Sequence, residues 1–199
     1  MKKIIITIGR QFGAGGRELG KKLAEKLNIA YYDKEIIDFT AMKSGLSKEY
    51  LVQNDEVATN SFLYSLVMGT RTLSGQKTVE EIKMDAQREA IKEIAEKGSC
   101  VIIGRAADYT LRKENPFRIF ISADKKDRVQ RVCKRDHLCE EEALKKIHKI
   151  DRLRAVYYNE YADAAWGRAE NYDLCINFSK ISLARAIDMI TMNFDTIIE

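Results

Sequence analysis

The chain has few of the features that mark membrane or secreted proteins. Its 199 residues include one proline, two histidines and one tryptophan, and no apolar run approaches the ~20 residues of a membrane-spanning helix. The four cysteines are scattered along the chain, which indicates reduced thiols rather than a disulfide framework. The apolar stretch after Met1–Lys2–Lys3 has about five residues, too few for a signal peptide. We therefore expect a cytoplasmic protein with no membrane partner.

The composition is that of an ordinary globular protein, with 45% hydrophobic and 32% charged residues. The formal net charge of +4 is small, so nucleic-acid binding has little support. No internal repeat, low-complexity tract or linker divides the sequence. The length suits one domain over residues 1–199 with an insertion or lid.

Five strand-like segments alternate with helical ones. The strands are predicted at residues 4–8, 29–33, 100–103, 117–122 and 172–178. Helical patterns cover residues 17–28, 34–43, 47–72, 78–97, 124–135 and 182–194, with a charged helical stretch over residues 136–154. This alternation predicts a three-layer α/β fold with a parallel five-stranded sheet. Ligands of such sheets bind beyond the carboxyl ends of the strands.

A glycine-rich turn follows the first strand and leads into the first helix. Gly9, Gly13, Gly15 and Gly16 fall within eight residues, and glycine lets backbone N–H groups approach a ligand closely. Oriented amides and the positive end of a helix dipole make a site for anions such as phosphate. The glycines could also serve turn geometry alone, but their number favours a phosphate site.

This turn lacks two residues of the standard phosphate-binding loop. The pattern GxxxxGK[ST] uses its lysine on the β- and γ-phosphates and its hydroxyl on Mg²⁺. Here Gly15 is followed by Gly16, Arg17 and Glu18. Lys22 lies too far along the helix to reach a phosphate and is expected to extend into solvent. The dinucleotide pattern GxGxxG also fails, because Glu18 occupies its last position.

Charged residues follow the ends of the other predicted strands. Asp33 ends the second strand, Gly104–Arg105 follows the third, and Asp108 comes soon after. Arginines follow the fourth strand, at Arg128, Arg131, Arg135, Arg152 and Arg154. The first three share one helix face, which is either a solvated face paired with nearby glutamates or a set of bidentate phosphate contacts. These groups are expected to converge on one cleft.

Two further clusters are weaker. Cys133, His137 and Cys139 lie close together with His148 as the only candidate fourth ligand, but their spacing fits no standard zinc pattern. We therefore expect no bound metal held by the protein alone. The aromatic residues Tyr157, Tyr158, Tyr161 and Trp166 could stack on a base, although packing is their more frequent use.

These motifs together resemble the cytidylate kinase-like family, a branch of the P-loop nucleoside monophosphate kinases. The most specific part is GRQFGAGGRELGKKLAEKLNIAYYDKEII, and Gly104–Arg105, Asp151–Arg152–Leu153–Arg154 and Tyr172–Asp173–Leu174–Cys175–Ile176–Asn177 continue the likeness. The resemblance covers nearly the whole chain. The family's aspartate directly after Gly–Arg is replaced here by Ala106, for which Asp108 is the candidate substitute.

The resemblance implies a role for each motif. The ATP phosphates would be surrounded by Gly13, Ala14, Gly15, Gly16, Arg17 and Glu18, with Arg17 standing in for the lysine. Acceptor binding would fall to Asp33, Gly104, Arg105, Asp108, Asp151 and Arg154. The charge of the transferring group would be clamped by Arg17, Arg131, Arg135 and Arg154. Glu18 either stabilises the helix dipole, which is favoured, or holds Mg²⁺ directly or through water.

The resemblance also implies an organisation and an activity. The core would comprise residues 1–33, 98–134 and 170–199, with a helical acceptor-binding insert at 34–97 and a lid at 135–165. With ATP and Mg²⁺, the protein would phosphorylate a nucleoside monophosphate of the CMP or dCMP type or a similar small phosphate acceptor. The alternative is a weak or inactive nucleotide-binding sensor, because the loop lacks its lysine and hydroxyl. A homo-oligomer is compatible with the sequence.

Overall fold

The computed structural model describes residues 3–53, 77–162 and 164–194. Most of the helical pattern predicted over residues 47–72 lies outside these residues. The sheet contains five parallel strands in the order β2-β3-β1-β4-β5. The strands are β1 (Ile5–Arg10), β2 (Ala30–Tyr32), β3 (Cys100–Ile103), β4 (Phe117–Ser122) and β5 (Leu174–Asn177). The predicted parallel α/β sheet is confirmed, with β1 at its centre.

Helices connect the strands and cover both faces of the sheet. In the described residues they are α1 (Gly16–Leu27), α2 (Glu35–Ser44), α3 (Lys48–Gln53), α4 (Val79–Glu96), α5 (Ala107–Thr110), α6 (Lys125–Asp136), α7 (Glu140–Tyr161) and α8 (Leu183–Thr191). Except for α5, which has no counterpart in the sequence prediction, the bounds agree with that prediction to within a few residues. The largest difference is α7, which is one continuous helix of 22 residues through the charged stretch.

Two apolar cores lie on opposite faces of the sheet. Ile6 and Ile8 of β1 point into the core that α1 and α8 cover, whereas Ile5 points into the core that α2, α4 and α5 cover. Because both faces are buried, β1 shows a continuous β-branched run instead of an alternation. The result is a three-layer molecule in which the carboxyl end of β1 emerges between the two helical layers.

A capping box begins α4. Glu81 N–H donates to Thr78 Oγ1 over 3.2 Å, and Thr78 N–H donates to Glu81 Oε2 over 2.7 Å. Replacing Thr78 with alanine is expected to lower the free energy of unfolding by about 1 kcal/mol, because an N–H of the first turn loses its acceptor. Denaturant titration measures the loss. Thr78→Ser retains the hydroxyl and serves as control; equal losses in both variants would contradict the role of the cap.

Helices α6 and α7 form an antiparallel hairpin beside the carboxyl end of β1. His137 ends α6 with a left-handed backbone conformation (φ +54°), which turns the chain sharply towards α7. Val132 of α6 packs with Ala143 and Ile147 of α7, and the ring of Phe12 in the β1–α1 loop packs against this cluster. The hairpin is therefore attached to the glycine-rich loop by apolar contact.

None of the described helices is both long enough and apolar enough to cross a membrane.

Candidate functional site

The glycine-rich loop runs closely over α6. Gly13 and Gly15 have φ values of +78° and +97°, which side-chain-bearing residues rarely adopt. A Cβ atom on Gly13 would lie 2.9 Å from Val132 Cγ2 and 3.1 Å from the Arg128 carbonyl oxygen. Gly16 begins α1 directly after this turn. The loop thus needs glycine both for its backbone conformation and for its approach to α6.

A cavity of about 480 Å³ opens beside this loop at the carboxyl end of β1. Its positively charged lining residues are Arg10, Arg17, Arg131, Arg135, Lys146 and Arg154, and its acidic ones are Glu18 and Asp136. All four arginines predicted as phosphate clamps line it. A space of this size with such an excess of cations suits a ligand with several negative charges.

The three arginines predicted to share a helix face separate into two groups. Arg131 Nη1 donates to the Gly13 carbonyl oxygen over 2.5 Å and lines the cavity, as does Arg135. Arg128 is buried instead, and its Nε donates to the Phe12 carbonyl oxygen over 2.9 Å. Arg128 turns towards the glycine-rich loop because the Phe12 carbonyl oxygen in that loop needs a hydrogen-bond donor.

Asp151 of α7 completes this buried contact. Its carboxylate forms an ion pair with Arg128, and its Oδ1 accepts from the Phe12 backbone N–H over 2.7 Å. The loop, α6 and α7 are therefore joined through both backbone groups of Phe12. Asp151 does not line the large cavity, so in this conformation it contacts protein groups.

The Phe12 ring faces two of the cavity's arginines. The guanidinium carbons of Arg135 and Arg154 lie 4.7 and 5.7 Å from its centroid, within the range of cation–π attraction. Arg154 also donates to the Arg10 carbonyl oxygen over 3.1 Å. The sequence analysis does not include Phe12 among the candidate residues. The signal that could have identified it is an aromatic residue inside a glycine-rich loop, in a chain with several arginines.

Asp136, the last residue of α6, neutralises part of the cavity's charge. Its carboxylate lies 2.6 Å from Arg135 Nε and 2.9 Å from Lys146 Nζ. These two cations hold the pKa of the Asp136 carboxyl well below its usual range. Asp136 therefore stays ionised and restrains two cations that face the cavity.

Asp33 joins the start of α1 to the end of β3. Its buried carboxylate accepts from Arg17 Nε over 2.7 Å and lies 3.7 Å from Arg105 Nη1. Arg105 also donates to the Asp33 carbonyl oxygen. The Arg17 side chain is 50% exposed, whereas that of Arg105 is 1% exposed. Asp33 and Arg105, both predicted to bind the acceptor, thus lie together, and Arg17 is joined to them by its ion pair with Asp33.

A second, much smaller cavity lies on the other side of the carboxyl end of β1. Its volume is about 20 Å³, which is space for about one water molecule. Gly104, Arg105 and Asp108 of the predicted acceptor site line it, and Arg10 and Arg154 line both cavities. Neither Asp33 nor Asp151 is among its lining residues.

Asp108 is buried beside this small cavity. Tyr158 Oη donates to Asp108 Oδ2 over 2.6 Å, and burial raises the pKa of the Asp108 carboxyl. Burial and the nearby Asp108 carboxyl also raise the pKa of Tyr158. The pair can offer both a hydrogen-bond acceptor and an aromatic surface to a ligand.

The aromatic stretch after Arg154 packs against protein. Tyr157 accepts a hydrogen bond from Gln87 of α4, and the Arg88 guanidinium carbon lies 4.5 Å above the Tyr161 ring. Trp166 meets the Phe120 ring edge-on at 5.4 Å. The carboxyl half of α7 is therefore attached to α4, across the end of the sheet.

No three His, Cys, Asp or Glu side chains among the described residues are placed to hold a metal ion. Cys139, one of the weak zinc candidates, caps α7, and its backbone N–H donates to Glu142 Oε2 over 3.0 Å.

The sequence matches the model of the cytidylate kinase-like family over residues 5–180. It is 28% identical over 181 residues to a cytidylate kinase from Pyrococcus horikoshii, a match that covers 90% of this chain and 82% of the relative.

Solved structures show the same architecture. The crystal structure of an uncharacterized protein from Eubacterium ventriosum has 32% identity and a TM-score of 0.74, covering 98% of this chain and 99% of the other. A shikimate kinase from Bacteroides thetaiotaomicron has 15% identity and a TM-score of 0.55, with the same two coverages. At 15% identity this second likeness shows the fold alone.

Proposed function

Because the chain belongs to the cytidylate kinase-like family, we propose that it transfers the γ-phosphoryl group of ATP to a nucleoside monophosphate. A CMP- or dCMP-like acceptor is the first candidate, and a similar small phosphate is the second. Family membership supports the coarser description, a nucleotide kinase. The observation that carries the proposal is the cavity beside the glycine-rich loop, where six cations among the described residues face a space large enough for a triphosphate.

The ATP phosphates would lie in the large cavity. Residues 13–18 would surround them with backbone N–H groups and the positive end of α1, while Arg17, Arg131, Arg135 and Arg154 line the same space. An acceptor phosphate oxygen would attack the γ-phosphorus, and ADP would leave. Since that oxygen is already an anion, no general base is needed, and catalysis rests on positioning and charge neutralisation.

The acceptor would bind on the side of the small cavity. Arg105 offers a buried guanidinium there, and Asp33 holds both Arg105 and Arg17. Asp108 lies on the same side for recognition of the base or sugar. In this proposal residues 34–97 form the acceptor-binding insert, and residues 135–165 form the lid. In the conformation described, Asp151 would act indirectly, by holding Phe12 and Arg128 in place.

The large cavity offers one suitable protein ligand for Mg²⁺. Asp136 is engaged by Arg135 and Lys146, which leaves Glu18 as the other carboxylate among the described lining residues. Glu18 would hold the ion directly or through water, with ATP oxygens and waters as the other ligands. When bound, Mg²⁺ would neutralise charge on the β- and γ-phosphates.

A nucleotide-binding sensor with little or no turnover is a second candidate. The small volume of the acceptor-side cavity, about 20 Å³, favours it, because a nucleotide acceptor enters only if the surrounding elements move. The loop also lacks the lysine and hydroxyl of the standard pattern. Such a protein would bind ATP in the large cavity and release it unchanged.

A panel of nucleoside monophosphates distinguishes the two candidates. Each is incubated with ATP and Mg²⁺, ADP formation is followed, and ATP affinity is measured by calorimetry. We expect acceptor-dependent ADP formation that is greatest with CMP or dCMP. ATP binding without turnover on any acceptor would establish the sensor, and absence of ATP binding would contradict both candidates.

A further inference from the structure

The aliphatic stem of an arginine lies against the position of the missing lysine. Gly16 stands where the standard loop has its lysine, directly after Gly15. A Cβ atom built on Gly16 would lie 2.8 Å from Arg10 Cβ and 3.1 Å from Arg10 Cγ. Both are aliphatic stem atoms close to the backbone, which cannot easily move away. The stem of Arg10 therefore occupies the space where a side chain at position 16 would begin.

Arg10 also lies where the two cavities meet. It is the last residue of β1, it is buried, and it lines both the large and the small cavity. Among the described residues, Arg154 is the only other one that these two cavities share, and it donates to the Arg10 carbonyl oxygen. A phosphoryl group passing from one cavity to the other would pass these two arginines.

We propose that Arg10, and not Arg17, supplies the positive charge that the lysine provides in a standard loop. The inference rests on the proposed function and assigns to this site a residue that is absent from the site residues predicted from the sequence. Arg10 would contact the γ-phosphate of ATP at the junction and stabilise the charge on the transferring group. Gly16 is then required because it leaves room for the Arg10 stem.

Arg17 is less suited to this role. Its Nε is held by Asp33, half of its side chain is exposed, and it lines only the large cavity of the two. To reach the junction it would have to leave a buried carboxylate that also lies beside Arg105. Its contribution is expected at the edge of the phosphate site.

Binding measurements test the assignment without requiring turnover. Calorimetry with ATP and with ADP gives the preference for the γ-phosphate as the ratio of the two dissociation constants. Arg10→Ala is expected to lower this preference about tenfold. Arg17→Ala should lower it less, and Arg152→Ala, which removes an exposed arginine of α7 outside both cavities, should leave it unchanged. An unchanged preference in Arg10→Ala, or a larger loss in Arg17→Ala, would overturn the assignment.

Turnover provides a second measurement on the acceptor that the panel identifies. Arg10→Ala is expected to lower kcat about 100-fold, as removal of one preorganised donor does elsewhere, and Arg10→Lys is expected to recover part of it. If Arg10→Ala does not fold, the comparison of Arg10→Lys with Arg10→Gln replaces it, since only the lysine keeps the charge. Equal values for lysine and glutamine would also overturn the assignment.

The sharpest test moves the cation from position 10 to position 16. Gly16→Lys alone is expected to impair ATP binding, because the new Cβ meets the Arg10 stem. Arg10→Gly removes that stem, so the double variant Arg10→Gly/Gly16→Lys should bind ATP at least tenfold more tightly than Arg10→Gly. No gain in the double variant would contradict the proposal. A wild-type protein that binds no ATP would instead contradict the proposed function itself.

Discussion

Replacing Asp151 with alanine is expected to lower the free energy of unfolding by about 3 kcal/mol. The substitution leaves the nearly buried Arg128 guanidinium without its carboxylate and the Phe12 N–H without its acceptor. Removing one partner of a buried ion pair is costly because the other charge stays out of water. For a chain of this length, such a loss corresponds to a fall in Tm of about 10 °C, which calorimetry can measure.

Two control variants separate this network from general effects on α7. Glu141→Ala breaks the pair of Glu141 with Lys145, in which both side chains are 75% exposed, and should leave Tm unchanged within error. Asp151→Asn retains an oxygen acceptor for the Phe12 N–H and should give an intermediate Tm. If Asp151→Ala has the same Tm as the wild type, the network does not hold the hairpin to the loop.

Removal of the Arg131 side chain is expected to lower kcat about 1,000-fold, the upper part of the range for a single preorganised donor. The large effect is expected because Arg131 does two things. It faces the cavity, and its Nη1 binds the Gly13 carbonyl oxygen over 2.5 Å. Arg131→Ala would thus remove a proposed phosphate clamp and release the loop that Arg131 supports. Initial rates with ATP and the preferred acceptor measure the loss.

Lysine at position 131 tests whether charge alone suffices. A lysine keeps the charge but lacks the planar guanidinium group, which can bind the Gly13 carbonyl oxygen and a phosphate at the same time. The kcat of Arg131→Lys should therefore remain at least tenfold below that of the wild type. Lys134→Ala is the matched control. Lys134 lies on the same helix, three residues after Arg131, and does not line the cavity. An activity of Arg131→Ala close to that of Lys134→Ala would be incompatible with the proposed clamp.

The fold was predictable because its signals are local. The β-branched run of β1 and the glycine-rich turn after it depend only on neighbouring residues. Buried parallel strands and amphipathic helices have distinct periodicities, so the order of the elements could be deduced. The convergence of charged residues at one edge follows from that order, since parallel strands end on the same side of the sheet.

The pairings inside the site could not be predicted in the same way. Asp151 and Phe12 are 139 residues apart in the chain, and no periodicity connects them. Helical spacing placed Arg128 beside Arg131 and Arg135, but it did not show that Arg128 turns towards a loop carbonyl. The sequence does not point to Arg10, because this residue ends β1 ahead of Gly13, Gly15 and Gly16, and only the backbone geometry brings it against Gly16.

If ATP binds in the large cavity as proposed, the carboxylate of Asp136 competes with its phosphates for Arg135 and Lys146. An incoming anion must share Arg135 and Lys146 with it, and a single phosphate offers little advantage over a carboxylate that is already in place. A triphosphate can engage the remaining arginines at the same time and so outweighs it. We expect this arrangement to set a minimum charge for binding, so that ATP is retained while abundant inorganic phosphate is not.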